Sequence, residues 1–224
     1  MRRTLFLAIA VCATHAHAGI TWYDHPALWG AAAGPPSYFE TFDGFATDLS
    51  FTSSPVASAA GAFSQESLDG NTFRNFIDVP PLVYTDNNGT KHASLFTNGH
   101  EAGVGTDVRL TFFTRHTALS FLTWDAMTLE GATIDVFDDA TLLGSHDLSG
   151  GAAEFTGFVL DGGMSATSVR FRSTSTVAGM PGEGFGLDDI RGVHAPVPEP
   201  ATTALACLAL AATARRRRFR QPTR

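Results

Sequence analysis

Across most of the chain, apolar residues recur at every second position in short runs. Val108, Leu110 and Phe112 alternate with Arg109 and Thr111. Ile134 and Val136 alternate with Thr133 and Asp135, and Val169 and Phe171 with Arg170 and Arg172. A period of two puts one set of side chains on each face of a strand. The same reading predicts strands over 38–42, 82–85, 93–96, 142–148, 155–160 and 185–190, with another near 73–77. Residues 118–124 are apolar on both faces and read as a central strand. Asp86-Asn87-Asn88-Gly89 is a hairpin turn between two of these segments. Residues 44–80, rich in Ser, Ala and Gly, read as a long irregular stretch. Arg170 and Arg172 belong on a solvent face, where solubility or pairing with acidic neighbours explains them.

One segment departs from this period. Over 25–33, Asp24 can cap a helix, Pro26 suits its first turn and Gly34-Pro35-Pro36 stops it. Ala27, Leu28 and Ala31 give it an apolar side. Nine or ten short strands with one short N-terminal helix predict a mainly-β fold, an antiparallel β-sandwich of jelly-roll type. No internal repeat supports a propeller.

The two ends follow neither pattern. Arg2 and Arg3 precede an apolar run from Thr4 to Ala13, and Ala16-His17-Ala18 forms an A-x-A site. This predicts a signal peptide over 1–18, cut between Ala18 and Gly19 and delivered to the Sec machinery. Cys12 after Ile9-Ala10-Val11 leaves a lipoprotein box as a minor alternative. At the other end, Ala201 to Ala214 is uncharged and followed by Arg215, Arg216, Arg217 and Arg218. Fourteen residues span roughly 21 Å as a helix, short of the roughly 20 residues that cross a bilayer comfortably. Snorkelling arginines and bilayer thinning make up part of the deficit. The positive-inside rule then keeps 215–224 cytoplasmic and the domain outside.

Val197-Pro198-Glu199-Pro200, the apolar run and the arginine cluster together resemble the PEP-CTERM sorting signal. That signal belongs to Gram-negative bacteria that make extracellular polysaccharide. The resemblance implies an exosortase, a membrane-embedded transpeptidase, as the partner that recognises the tetrapeptide and processes the tail. The same tail has also been labelled an ice-binding protein C-terminal domain, which says nothing about ice here. Short stretches of the middle, "YFETFDGF" (38–45), "FTGFVLDGGMSATSVRF" (155–171) and "GFGLDDIRGV" (184–193), resemble a domain common among PEP-CTERM proteins and similar in architecture to carbohydrate-binding jelly rolls. The organisation expected is therefore a signal peptide over 1–18, a β-sandwich over 19–193, a linker with the motif over 194–200, a transmembrane helix over 201–214 and a basic tail over 215–224.

Setting the ends aside changes the charge. Residues 19–197 carry 21 acidic and 7 basic residues, a net charge of −14, against −7 for the whole chain. So acidic a domain is a poor partner for nucleic acid or anionic lipid. Cations, neutral glycans and basic surfaces suit it better. Both cysteines, Cys12 and Cys207, lie in the end segments, so the exported domain has no disulfide, thiol nucleophile or zinc thiolate site.

Candidate chemistry centres on Asp188-Asp189. In a regular strand Leu187 and Asp189 share one face, and Asp188 shares the other with Ile190. If Ile190 is in the core, Asp188 points inward and needs a partner: an arginine such as Arg74, backbone amides or a metal. Calcium is the plausible metal. The jelly-roll resemblance implies a structural calcium shared by Glu40 and Asp188, with Asp43 or Asp189 as further ligands. Asp135, Asp138 and Asp139 lack the pattern of an EF-hand and read as an acidic turn. His92, His100 and His116 read as exposed loop histidines, with metal or catalytic roles the minor reading. No His-Glu-x-x-His or Gly-x-Ser-x-Gly is present. Trp22, Trp29 and Trp124 are the tryptophans that could stack on sugars. Trp29 is expected inside the helix–sheet contact, and Trp124 at the end of a central strand.

These features predict an exported, non-catalytic protein. It would be anchored transiently in the inner membrane, then processed and released to the cell surface or polysaccharide matrix, in connection with exopolysaccharide or biofilm. The alternatives are a carbohydrate-binding module and, behind it, a glycoside hydrolase or lyase, which would need two carboxylates flanking a sugar bond.

Overall fold

The structure, a computed structural model, describes residues 19–67, 76–78, 92–96, 98–100, 104–124, 132–148, 154–173 and 184–196. The predicted signal peptide, the strand over 82–85, the turn over 86–89, the membrane helix, the basic tail and the side chains of Arg74 and Trp124 lie outside the described residues. Among those described, no helix is long and apolar enough to cross a membrane.

The fold is mainly β, sandwich-like and antiparallel throughout. Its strands are β1 (Ile20–Tyr23), β2 (Tyr38–Glu40), β3 (Leu49–Ser50), β4 (Val56–Ala57), β5 (Ala62–Ser67), β6 (Phe76–Asp78), β7 (His92–Phe96), β8 (Asn98–His100), β9 (Val104–Trp124), β10 (Ala132–Asp138), β11 (Thr141–Leu148), β12 (Glu154–Leu160), β13 (Ala166–Ser173) and β14 (Gly184–His194), with α1 (Pro26–Ala33) after β1. The 21-residue β9 organises both layers. Its first half pairs with β5 and β13, building a layer in the order β11-β10-β13-β9-β5-β4. Its second half pairs with β12 and β14, building a layer in the order β1-β12-β9-β14-β7-β6-β3, with β2 beside the last residues of β14. The strands expected over 108–112 and 118–124 are thus one. No Gly or Pro interrupts residues 113–117. The chain instead turns the corner through a register break, with His116 opposite Ala166 and Thr111 opposite Ser168.

The alternating apolar positions meet as predicted. Val108, Leu110, Ile134, Val136, Val169 and Phe171 are all fully buried in one core. Phe121 of one layer meets Phe171 of the other edge-on, with ring centres 5.6 Å apart. Five strands escaped the sequence reading. β1 pairs with β12, β8 pairs with the start of β9, and β3, β4 and β5 lie within the stretch read as irregular.

The helix is where expected, but its anchoring differs. His25, not Asp24, caps it, its Nδ1 accepting the Ala27 N–H at 3.2 Å. Ala27, Leu28 and Ala31 are exposed. A helix of two turns reaches the sheet with one residue. Trp29 is 2% exposed and donates its Nε1–H to the Phe158 carbonyl at 3.1 Å. Its ring lies over Gly157, where a Cβ would come within 2.6 Å of it.

Candidate functional site

β14 brings the acidic pair into the fold through a bulge. Asp188 stands opposite Leu122 and Arg191 opposite Ser120, so β14 carries one extra residue. Asp189 takes it up at φ 51°, a left-handed conformation that Asp tolerates better than most residues. Strict alternation therefore fails here, and Leu187 and Ile190, three positions apart, both reach the core. Asp188 is buried, as expected, and its Oδ1 accepts the Asp189 N–H at 2.7 Å. Asp189 faces Arg191 at 3.7 Å, and the Arg191 guanidinium lies 4.7 Å over the Phe39 ring.

Glu40 sits opposite Ile190. It is buried, its Oε1 accepting the Phe42 N–H at 2.7 Å and its Oε2 the Ala59 N–H at 2.6 Å. The carboxylate thereby holds the left-handed Phe42, at φ 56°, and ties β2 to the loop before β5. Among the described residues no group of three or more His, Cys, Asp or Glu side chains is placed to hold a metal ion.

The outer face of the β10-β13-β9-β5 layer is a ladder of ion pairs. Asp135, 2% exposed, accepts Arg170 and Arg172 at 2.8 Å each and the Ser145 hydroxyl at 2.6 Å. Burial alone would raise its pKa. The bonds from Ser145, Arg170 and Arg172 outweigh it and hold the carboxyl below its ordinary value. Arg170 also faces Asp107 at 3.6 Å. Arg109 makes two bonds to Glu66, at 2.6 and 3.1 Å, and a third to Ser168 at 3.0 Å. Both Arg109 and Arg170 lie over the Phe137 ring, 5.0 and 5.2 Å from its centre. Asp135 is therefore no part of an acidic turn. Asp138 and Asp139 are at the β10–β11 hairpin, where both pair with Arg115.

A second polar cluster lies at the corner where β9 changes layers. The loop reading of the three histidines does not hold. His92 and His100 are in β7 and β8, and His116 is a strand residue only 1% exposed. The His116 ring is 5.0 Å from that of His194 and 5.4 Å from that of Tyr38, and Tyr38 and His194 are 5.7 Å apart. Phe112 closes the far side at 4.2 Å. Neither ring nitrogen of His116 has a hydrogen-bond partner, nor does the buried Tyr38 hydroxyl. Burial, with the nearby His194, lowers the His116 pKa to about 4, and the Thr114 backbone, close to the ring but outside hydrogen-bond geometry, opposes the shift. Burial, with the Glu40 charge, raises that of Tyr38.

An open cleft of about 230 Å³ lies at the far edge of the β1–β12 pair, lined by Trp22, Tyr23, Asp24, His146, Glu154, Phe155 and Thr156. Trp22 and His146 stack there at 4.7 Å with their planes 18° apart. Of the tryptophans considered for sugar stacking, Trp22 reaches this cleft, whereas Trp29 is interior. No sequence pattern pointed to the His146 partner, which β11 brings in from a distant segment.

The last described strand, β14, ends at His194. The His194 N–H donates to the Ser37 hydroxyl at 3.0 Å, and the Ala195 N–H donates to the Arg115 carbonyl at 2.7 Å. Immediately beyond this boundary, residues 196–218 match a known family model, the PEP-CTERM protein-sorting motif. The chain carries a PEP-CTERM sorting signal. The match takes in Val197, Pro198, Glu199, Pro200 and the arginines Arg215 to Arg218. A PEP-CTERM signal marks a protein for export and for sorting by exosortase to the surface or exterior of a Gram-negative cell. A search of curated proteins gives no match. Among solved structures, the enzymatically active domain of tailspike protein 4 of bacteriophage CBA120 is similar at 17% identity and a TM-score of 0.35, over 59% of this chain and 19% of that one. A glycoside hydrolase family 43 arabinoxylan arabinofuranohydrolase from Bacillus subtilis, solved with cellotetraose, is similar at 14% identity and a TM-score of 0.31, over 62% of this chain and 29% of that one. The chain thus spans less than a third of either.

Proposed function

We propose that this is a non-catalytic protein of the cell surface or extracellular matrix, linked to exopolysaccharide or biofilm. It is held briefly at the inner membrane by its C-terminal segment, then processed by exosortase. The observation that carries the reading is the PEP-CTERM motif over 196–218, which begins just after the last strand ends at His194. A sorting enzyme reads its recognition segment as extended chain, and the motif follows the last strand of the domain by two residues. The acidic, cysteine-free domain fits residence outside the cell. Intact-mass measurement of the mature protein from its native host tests the reading. The expected mass lacks residues 1–18 and the arginine-rich end. Mature surface protein that retains Arg215 to Arg218 would overturn it.

A second reading, direct glycan binding, has the Trp22–His146 cleft in its favour. An aromatic wall beside Asp24 and Glu154 suits a neutral or amine-bearing sugar, whose apolar face packs on rings while its polar groups meet carboxylates. A glycan array that includes the host polysaccharide, repeated with W22A, tests it. Binding that W22A abolishes supports this reading, and an array without hits removes it.

A further inference from the structure

We propose that His116, His194 and Tyr38 form a three-donor site for a divalent transition-metal ion of the zinc type. Burying three polar atoms without partners is costly, since each one left unmade forfeits its hydration. Those atoms are Nδ1 and Nε2 of His116 and the Tyr38 hydroxyl, and all lie in one cluster built by β9, β2 and β14. The Tyr38 ring is seated on Gly192, where a Cβ would come within 2.4 Å of it. Its place is therefore fixed by backbone and not by a flexible contact.

The spacing fits shared coordination. With a zinc–nitrogen bond of about 2.0 Å, the metal lies about 3.2 Å from an imidazole centre, and two imidazoles at a tetrahedral angle have centres about 5.2 Å apart. The observed separation of His116 and His194 is 5.0 Å, with the rings 86° apart. The phenol ring stands at comparable distances from both, 5.4 and 5.7 Å. Imidazole and phenol are donors for zinc or copper(II), not for calcium, which wants carboxylate and carbonyl oxygens. His194 is exposed and gives the ion an entry path. The net charge of −14 over 19–197 favours a cation there. The phenol supplies the third donor that two histidines lack. The bound ion would clamp the corner two residues before the sorting motif begins.

The untagged full chain, purified in mild detergent and stripped with chelator, provides the test. Zinc well above its dissociation constant should raise Tm by about 5 °C or more, with one ion bound per chain. H194A, altered at an exposed side chain, should melt like the parent in chelator and lose the zinc response. Y38F should keep the fold, bind at least about tenfold more weakly and lose the visible phenolate-to-copper band that copper(II) gives with the parent. Excess zinc without a shift, or an equal shift in H194A, overturns the site. Neither outcome bears on tail processing, which the mass measurement reads separately.

Discussion

The outer face of the β10-β13 pair and the corner of β9 bury polar side chains equally well and satisfy them very differently. Asp135 is 2% exposed and holds two guanidinium groups and a hydroxyl. His116 is 1% exposed and neither of its ring nitrogens has a partner. On the first face the strands run in regular register, so Asp135, Arg170 and Arg172 meet across neighbouring strands by period-two alternation. At the corner the register breaks, and three side chains from distant strands converge without complementary charge. Regular register satisfies the Asp135 carboxylate there, although the Arg170 Nε behind it has no partner. A bent strand leaves donors and acceptors available to something else, which is why the corner carries the metal inference and the ladder does not.

The largest effect should come from breaking the satisfied side. D135A strips the shared anion from Arg170 and Arg172 and should cost about 3 kcal/mol in urea unfolding, the low end for a buried pair because both arginines keep some solvent. The same interaction sets an acid response. The Asp135 pKa in the fold lies below its ordinary value of 3.8. The stability it supplies is present above that value and is lost as pH falls through the folded-state pKa, because the unfolded chain takes up the proton first. Stability measured below about pH 4 should therefore fall less steeply in D135N than in the parent. Equal slopes would place the acid sensitivity elsewhere.

β2 carries one residue of each class and sharpens the contrast within three positions. Glu40 is fully bonded to two amides, whereas the Tyr38 hydroxyl is not. E40Q turns one accepting oxygen into an NH2 facing an N–H and should cost about 2 kcal/mol. Y38F, in chelated protein, should be nearly neutral. Melting in excess calcium and in chelator should coincide if the two amides alone hold the carboxylate. A shift that E40Q abolishes would add a cation to the clamp.

How much of this the sequence disclosed depends on how local the cause is. Alternation exposed Ile134, Val136, Val169 and Phe171 as core and Arg170 and Arg172 as their outward neighbours, because period two is a property of a single strand. The stop at Gly34 was equally local, its φ of 79° being a glycine conformation. The bulge at Asp189 was hidden, since nothing in "GLDDI" separates an extra residue from a paired one, and every facing argument about Asp188 depended on it. β5 was missed because Phe63 is the lone large apolar residue in "AFSQES". The burial of His116 was least legible. It depends on Tyr38 and His194, brought in by strands from opposite ends of the domain, and on a corner within one long strand that reads in sequence as two. The sorting signal was the reverse case, since a motif read by an enzyme as linear sequence needs no fold to be seen.

The smallest effect should also have the opposite sign. H116F keeps a ring of similar size against Phe112 and Tyr38 and removes two nitrogens that have no partner. Replacing an unsatisfied polar group by an apolar one of the same shape is neutral to stabilising, so metal-free H116F should gain up to about 1 kcal/mol over the parent. With zinc the order should reverse, because the parent gains the binding free energy and the variant does not. Chemical unfolding of both proteins, with chelator and with zinc, gives the four numbers required. A loss of more than about 2 kcal/mol for H116F in chelator would mean that the protein itself satisfies the imidazole, and the contrast between corner and ladder would then disappear. A gain that persists unchanged in zinc would keep the contrast but take the metal out of it, leaving a corner whose polar atoms are merely strained.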